Sequence, residues 1–419
     1  MQAAKTYGNI IKKIAPEHNR AALSMIKGGL FLEKFRTGHL MDKQIPKALR
    51  YLNHYAIGNV LEALKHPEKT AWVNLFTPVE ILQCFDLYCL SAEAMSSYLS
   101  GFYMEDALID HAESEGIAPT LCSYHKTFIG AADSGIIPKA AFAATTSMVC
   151  DANVNTFRHL AHKHRIPCYM LDIPDSYSPE GEMYVVEQLH EMISMLEDLF
   201  HQPFDLQRLS ETLERENQSK QYFVNFLDAS VGKDYPSTLT LQMFMLFATH
   251  LNIGTPEILF FFRSMYEEIQ SAPAFHGKKI FWVHLNPYYQ ETLQRYFNLG
   301  KDYQLITTEM NLDYMDTLDV SRPLHALSKK MICNLYNGSF ERKAELAANL
   351  AKRFHADGVI NFCHWGCKQS SGGAMLLKET LRDQNIPFLT LDGDGMDRRN
   401  SHDGQIKTRL EAFLELLNQ

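Results

Sequence analysis

The sequence predicts an α/β protein with two domains of related design. Two segments support this prediction, because each contains an apolar strand-like run, a cysteine, a helical pattern and a second strand-like run. In the first segment AAFAATTSMVC (residues 140–150) precedes IPCYMLD (166–172), and in the second GVINF (358–362) precedes Cys367 and IPFLTLD (386–392). Strands that alternate with helices are typical of parallel sheets. The similarity of the two segments indicates an internal duplication.

The N-terminal residues 1–70 are expected to be helical, because Leu, Ile, Met and Tyr recur there without clusters of β-branched residues. Trp72–Phe76 then has the pattern of a first strand, and Thr77-Pro78 starts a short helix that contains Glu80. Further strand-like runs follow, with Cys122 at the start of an intervening helix. We therefore expect a first α/β domain over residues 71–200.

The remainder of the chain divides into a helical connector over residues 201–270 and a second α/β domain over residues 271–419. The second domain opens with the strand-like run KKIFWVH (278–284). Its final part has a strand pattern up to Phe362, a loop that contains Cys363, His364 and Cys367, and then a helix and a last strand. Loops at the carboxyl ends of parallel strands are where sites form in open α/β sheets.

Composition excludes several classes of function. The 419-residue chain carries a formal charge of −9, which argues against non-specific binding of nucleic acid. The first residues lack the apolar core of a signal peptide, and no apolar run reaches the length of a membrane span. We therefore expect a soluble, cytoplasmic protein that binds neither nucleic acid nor a membrane.

The eight cysteines are not expected to form a disulfide framework, because the expected compartment is reducing. Cys84, Cys168 and Cys333 lie in apolar stretches and are interpreted as buried core residues. Cys150 ends a strand-like run, so a structural role and a functional role are about equally compatible with its position.

Three other cysteines, Cys89, Cys122 and Cys367, stand at predicted strand ends or helix starts, where amide groups favour thiolates. Cys363 and Cys367, with His364 between them, resemble part of a metal site, but zinc usually requires a second close pair. Three scattered thiolates would suit an iron–sulfur cluster with one iron left open. The spacing alone leaves this question undecided.

Other catalytic motifs are absent from the sequence. It contains no GxxxxGK[ST], no strand-linked GxGxxG and no GxSxG. Asp392, Asp394 and Asp397 are best explained as a strand-end turn with helix-capping side chains. Glu80 is either a general acid or base or a carboxylate that matches the dipole of its helix.

The ordered motifs resemble those of the 2-hydroxyacyl-CoA dehydratase family, which also includes benzoyl-CoA reductase subunits. The resemblance covers most of the chain from about Trp72 onward. It is based on TPxE leading to Cys89, LCS around Cys122, TTxxxCD around Cys150, IP with LD at 166–172, Cys367-Lys368, and the closing IPFLTLDGDGMDRR with TRLEAFLELL.

The resemblance implies two flavodoxin-like parallel-sheet domains with additional helical segments. It also implies one 4Fe–4S cluster in the cleft between the domains. By position, the cluster ligands would be Cys89, Cys122 and Cys367, with Cys363 as the alternative for the third ligand. Cys150 matches a recurring family position that is not taken to be a ligand.

The implied reaction removes water from a (R)-2-hydroxyacyl-CoA to give an enoyl-CoA. A separate ATP-hydrolysing iron–sulfur activator would inject one electron, and the resulting ketyl radical would expel the hydroxyl group. An iron without a thiolate could bind the substrate oxygen as a Lewis acid. The implied partners are an acyl-CoA, the activator, and a second subunit that is either a paralogue or a copy of this chain.

Two alternative functions remain open at this point. The chain could belong to an ATP-coupled reductase of the benzoyl-CoA type, or it could be a non-catalytic, cluster-carrying partner or electron-transfer subunit. Double-cubane clusters are disfavoured, because the segments that carry the additional cysteines in known relatives read Gly130–Asp133 and Leu305–Thr308 here.

Overall fold

The strands form two separate parallel sheets, each with four strands. The computed structural model describes residues 2–419. The first sheet contains β1 (Thr70–Val73), β2 (Tyr88–Ser91), β3 (Phe142–Thr146) and β4 (Cys168–Leu171), in the order β2-β1-β3-β4. The second contains β5 (Lys278–Val283), β6 (Tyr303–Thr308), β7 (Gly358–His364) and β8 (Phe388–Gly393), in the equivalent order β6-β5-β7-β8. This order begins the flavodoxin-like series, so the predicted fold class is confirmed.

Helices precede, connect and separate the two sheets. Those before the first sheet are α1 (Gln2–Ile14), α2 (Asn19–His39) and α3 (Lys47–Lys65). Those within it are α4 (Val79–Cys84), α5 (Ala92–Gly101), α6 (Glu105–Ser114), α7 (Ser123–Asp133) and α8 (Asp151–His164). Between the sheets lie α9 (Pro179–Phe200), α10 (Leu206–Ala229), α11 (Leu239–Leu251) and α12 (Pro256–Gln270). The last group is α13 (Glu291–Phe297), α14 (Pro323–Ile332), α15 (Phe340–Arg353), α16 (Lys368–Ser371), α17 (Ala374–Asp383) and α18 (Asp403–Leu417).

The two sheets repeat each other in sequence as well as in topology. The segments that suggested a duplication fall on equivalent strands, β3 with β4 and β7 with β8. A second match, which the sequence analysis missed, lies in the central strands β1 and β5, where WVNL (72–75) corresponds to WVHL (282–285). Trp72 and Trp282 are both buried in these strands. His284 therefore occupies the position that Asn74 has in the first sheet.

One boundary differs from the sequence prediction and affects the site. Cys363 and His364 were expected in a loop, but both lie within β7. The strand continues because its backbone pairs with β8 as far as His364 and Gly393. Pairing with a neighbouring strand is a tertiary contact, so the local sequence could not indicate how far β7 extends.

Among the described residues 2–419, no helix combines the length and the apolar character that a membrane span requires.

Helices α6 and α7 pack closely at Gly130. A Cβ atom at this position would overlap the backbone carbonyl group of Leu108. Gly-to-Ala replacement inside a helix normally adds about 1 kcal/mol of stability. At Gly130 we expect Gly130→Ala to destabilise the protein instead, by about 1–3 kcal/mol, because two backbones must separate.

Denaturation midpoints of the variant and the wild type measure this effect. Gly404→Ala is the matched control, because no atom lies within 4 Å of the added methyl group in α18. A midpoint for Gly130→Ala at or above that of Gly404→Ala would contradict the close packing of α6 on α7.

Candidate active site at the junction of the two sheets

The loops that carry Cys122 and Cys367 contact each other, although they belong to different sheets. Cys122 is the residue before α7, and Cys367 is the residue before α16, just after β7. Gly366 has a φ of +80°, and a Cβ atom there would lie 2.9 Å from the backbone nitrogen of Cys122. Only glycine combines this left-handed conformation with so close an approach. The two predicted ligand loops are therefore held together by a backbone contact.

A histidine accompanies each of these two cysteines. The Nε2 atom of His364 lies 3.2 Å from the Sγ atom of Cys122. The Nε2 atom of His284 lies 3.5 Å from the Sγ atom of Cys367. Both imidazoles are buried, with exposed fractions of 1% for His364 and 4% for His284. Burial lowers the pKa of both, for His284 well below its usual value, so both rings are neutral near pH 7.

Cys150 lies near the same two thiols. It directly precedes α8, and the preceding Val149 has a φ of +73°, which is strained for a β-branched residue. Gln369, in the short helix α16, donates a hydrogen bond of 2.9 Å from Nε2 to the carbonyl oxygen of Val149. Burial, with a contribution from the nearby Cys367, raises the pKa of Cys150 to about 12. The thiol of Cys122 is affected in the same way, because burial, Cys367 and Cys150 all raise its pKa.

Cys89 occupies a different environment. It lies inside β2, where its backbone pairs with Ala71, rather than at the end of the strand. Burial, followed by the charge of Glu80, raises the pKa of Cys89 to about 12. Cys363, the alternative ligand, is buried in β7, and its thiol donates to the carbonyl oxygen of Ser370 at 3.4 Å. The structure thus brings Cys122, Cys150 and Cys367 together, and no contact in residues 2–419 joins Cys89 to them.

The donor chemistry of this junction fits an iron–sulfur group better than a hard cation. Thiol sulfurs are soft ligands, which select iron–sulfur clusters, zinc or copper(I) over magnesium or calcium. Within residues 2–419, no three His, Cys, Asp or Glu side chains are arranged to hold a single metal ion. Two of the three predicted ligands, Cys122 and Cys367, are adjacent, and the identity of the third remains a prediction.

Glu80 lies at a cavity of about 70 Å³ that is also lined by Lys330, Glu216 and Lys220. The ammonium group of Lys330 donates to Glu80 at 2.6 Å and to Glu216 at 2.7 Å. Lys220 lies 2.8 Å from the same oxygen of Glu216. Lys330 and Glu216 therefore act directly on the carboxyl group of Glu80, and Lys220 contacts Glu216.

Three carboxyl groups line this cavity, those of Glu80, Glu216 and Asp313, and they differ in their affinity for a proton. Burial raises the pKa of Glu80, although Lys330 opposes the change, and the charge of Glu216 raises it further. Burial acts on Glu216 as well, but the ammonium groups of Lys220 and Lys330 outweigh it and lower the pKa of Glu216 to about 2. Burial acts on Asp313 too, but its contact with His250 keeps the pKa of this carboxyl group below its usual value. Glu80 is therefore the one of these three carboxyl groups whose pKa is raised.

The cavity and the thiols are separated by one layer of side chains. Phe76 lines the cavity and packs against Tyr336, with ring centroids 5.3 Å apart. Tyr336 in turn packs against His284, with centroids 6.4 Å apart. Met148 also lines the cavity, two residues before Cys150. The candidate site therefore consists of a thiol-rich junction and an adjacent charged cavity.

Sequence reasoning missed several residues of this site, among them His284, Lys330 and Glu93, whose charge acts on Cys150. His284 could have been found from the match between WVNL and WVHL in the two central strands. Lys330 has no sequence signal, because its partner Glu80 is 250 positions away. Glu93 stands in the first turn of α5, and its Oε2 atom is buried without a hydrogen-bond partner among residues 2–419. Burial raises the pKa of Glu93 to about 7.

The acidic turn matches its simpler interpretation. Asp394 accepts hydrogen bonds of 2.8 Å from the backbone amides of Met396 and Asp397, and it also accepts one from Ser123 at 2.5 Å. These contacts use its Oδ1 atom to stabilise the turn after β8 and to tie that turn to α7. This acidic cluster is therefore structural.

The chain belongs to the family described as 2-hydroxyglutaryl-CoA dehydratase, D-component, whose model matches residues 74–417. The match begins directly after β1 and includes the other seven strands, Glu80 and all eight cysteines. Nearly the whole of both sheets therefore lies within the family match.

Three characterised relatives are similar over most of their length. The chain is 22% identical to the (R)-phenyllactyl-CoA dehydratase alpha subunit of Clostridium sporogenes, over 91% of this chain and 98% of the relative. It is 22% identical to the lactoyl-CoA dehydratase subunit alpha of Anaerotignum propionicum, over 88% and 95%. It is 23% identical to a benzoyl-CoA reductase subunit of Thauera aromatica, over 83% and 89%.

The ion pairs of Lys330 provide a test of the cavity. In Lys330→Met, Glu216 and Glu80 lose a shared ammonium group, so we expect a loss of about 3–5 kcal/mol in the free energy of unfolding. The loss should grow as pH rises from about 5 to about 8. Without Lys330 the buried carboxyl groups bind a proton more tightly in the folded state than in the unfolded state. This proton binding stabilises the folded variant at low pH, and the stabilisation is lost as the carboxyl groups deprotonate at higher pH.

Denaturant titrations at several pH values measure this effect, and Lys329→Met on the exposed side of α14 is the control. Equal stability losses in the two variants would contradict the buried network.

Proposed function

We propose that the chain is a cluster-bearing subunit of a 2-hydroxyacyl-CoA dehydratase-type lyase, which removes water from a (R)-2-hydroxyacyl-CoA to give an enoyl-CoA. The observation that carries the proposal is the contact between the loops of Cys122 and Cys367, which lies within the family match at residues 74–417. Two relatives that align along nearly their whole length are named as alpha subunits of such dehydratases.

A 4Fe–4S cluster would be held by Cys122 and Cys367, with Cys89 as the third thiolate that the family resemblance implies. When bound, such a cluster supplies one-electron chemistry and an iron that acts as a Lewis acid. The residues of this chain have separate tasks. The junction of the two sheets encloses the thiols, and the carboxyl group of Glu80, in the next layer, exchanges a proton with the substrate.

The charged cavity would receive the acyl part of the thioester. Its ionised groups are already paired, because Lys330 bridges Glu80 and Glu216, and Lys220 contacts Glu216. Phe76, Met148 and Leu327 supply apolar parts of the cavity wall. Expulsion of water from this cavity by the bound substrate would strengthen the hydrogen bonds of Glu80 and protect reactive intermediates from side reactions. Glu80 is accordingly the residue we assign as general acid or base.

Two partner proteins complete the proposal. The relatives named as alpha subunits imply a second, homologous subunit, which is either a paralogue or a copy of this chain. The electron would come from a separate ATP-hydrolysing activator, since the sequence contains no nucleotide motif of the GxxxxGK[ST] type.

Serine variants of the cysteines test the cluster. We expect Cys122→Ser and Cys367→Ser, purified without oxygen, to lose most of their iron, acid-labile sulfide and visible absorption. Cys168→Ser is the control, because Cys168 lies on β4 at the edge of the first sheet. Full iron content in both Cys122→Ser and Cys367→Ser would refute the assignment.

The same measurement identifies the third thiolate. Loss of iron in Cys89→Ser with retention in Cys150→Ser would support the ligand set implied by the family resemblance. The reverse result would favour Cys150, whose thiol interacts electrostatically with those of Cys122 and Cys367.

Glu80→Gln tests the assigned acid or base. We expect turnover of a 2-hydroxyacyl-CoA, with activator present, to fall by about 100-fold or more while iron content stays unchanged, because the amide cannot exchange the proton. Glu187→Gln, at an exposed position of α9, is the control. Unchanged turnover would remove Glu80 from the mechanism.

The main alternative is a reductase, since one relative is named as part of a benzoyl-CoA reductase. Assays with benzoyl-CoA in place of the hydroxyacyl-CoA distinguish this alternative from the proposed lyase. Reduction of benzoyl-CoA without dehydration of any 2-hydroxyacyl-CoA would replace the proposed lyase with a reductase.

A further inference from the structure

The hydrogen bonds of His364 determine which of its ring nitrogens carries the proton. The backbone N–H of Gly395 donates to the Nδ1 atom of His364 at 2.8 Å. An atom that accepts a hydrogen bond from an amide N–H cannot itself carry a hydrogen in the same direction. The neutral ring therefore has its proton on Nε2, which faces the Sγ atom of Cys122 at 3.2 Å. The imidazole of His364 therefore donates an Nε2–H···S hydrogen bond to Cys122.

The orientation of this ring is fixed on several sides. The backbone of His364 pairs with Gly393 at the end of β7, and its N–H donates to the hydroxyl oxygen of Ser370 at 2.9 Å. Tyr124, two residues after Cys122, packs edge-on against the imidazole, with centroids 5.3 Å apart. The nearest oxygen of Asp394 lies 3.7 Å from Nδ1, beyond hydrogen-bond distance, so it does not replace Gly395 as partner.

His284 presents the same atom to the other cysteine. Its Nδ1 atom is buried without a hydrogen-bond partner among residues 2–419, whereas its Nε2 atom faces the Sγ atom of Cys367. An orphaned buried N–H is rarer in proteins than an under-used acceptor, so the proton belongs on Nε2. The strained backbone of His284, with a φ of +71°, is held by Glu309, whose carboxylate accepts from its N–H at 2.8 and 3.0 Å.

We propose that His364 and His284 are positioning residues that donate Nε2–H···S hydrogen bonds to Cys122 and Cys367, and that they thereby raise the reduction potential of the metal group held by these sulfurs. The part concerning the potential rests on the proposed function. The hydrogen bonds themselves belong to the protein without a metal.

The physical reason is the negative charge that thiolates bring into a buried site. Two buried cations near these residues are already engaged, since Lys126 bonds to Glu113 at 2.7 Å and Lys343 lies 3.3 Å from Glu309. Neutral N–H groups aimed at sulfur reduce its electron density without adding a net charge. Hydrogen bonds to the ligand sulfurs are one of the means by which a protein sets the potential of an iron–sulfur cluster.

The first experiment uses selective ¹⁵N labelling of histidine in the apoprotein and compares its NMR spectrum with that of His364→Gln to assign His364. We expect a protonated Nε2 and an unprotonated, hydrogen-bonded Nδ1. A protonated Nδ1 in His364 would overturn the proposal whether or not any metal binds.

The second experiment measures midpoint potentials by EPR-monitored redox titration, together with iron per chain, for His364→Gln, His364→Leu and the exposed control His162→Gln. We expect His364→Leu to have a lower potential at unchanged iron content. The potential of His364→Gln, whose amide can still donate a hydrogen bond, should lie closer to that of the wild type. The potential of His162→Gln should equal that of the wild type. Equal potentials in all four proteins would overturn the proposal.

The two experiments separate the two proposals. Wild-type protein that binds no iron after reconstitution would refute the proposed function, and the NMR result would then decide the hydrogen bond on its own. If His364→Leu loses its iron but His364→Gln retains it, the requirement for a donor is supported by that difference.

Discussion

The close contact between Gly366 and the start of α7 is the constraint on which the candidate site depends. The sulfurs of Cys122 and Cys367 belong to different sheets, so neither sheet alone determines the distance between them. Gly366 lets one loop lie directly on the backbone of the other, in a conformation that residues with a Cβ atom rarely adopt. The packing between the two sheets therefore determines how these two thiols are placed relative to each other.

Strained backbone conformations surround this contact, and each is held by a specific hydrogen bond. Val149 and His284 both have positive φ values, which cost on the order of 1–3 kcal/mol each. Gln369 holds the carbonyl group of Val149, and the carboxylate of Glu309 holds the amide of His284. These bonds restrict the backbone next to Cys150 and the backbone of His284, whose ring faces Cys367. Such restriction favours a group whose ligands must keep one geometry.

The thiol junction and the cavity handle buried charge in different ways. In the cavity, Glu80 and Glu216 are neutralised by the full charges of Lys330 and Lys220. Around the thiols, the donors are neutral imidazole and amide N–H groups, such as those of His364 and Gly395. Phe76 and Tyr336 separate the two regions. The two regions are therefore neighbouring but electrostatically distinct environments.

The sequence alone determined the two parallel sheets, because alternating strand and helix patterns are local, and it placed Cys122 and Cys367 at the starts of helices. It also identified Glu80 as a candidate. The tertiary structure decided which of these residues meet. It extended β7 through His364 by pairing with β8, joined Glu80 to Lys330, and grouped Cys150 rather than Cys89 with the other thiols. These contacts connect residues that are far apart in the chain, and their geometry depends on how the domains pack, which no local pattern encodes.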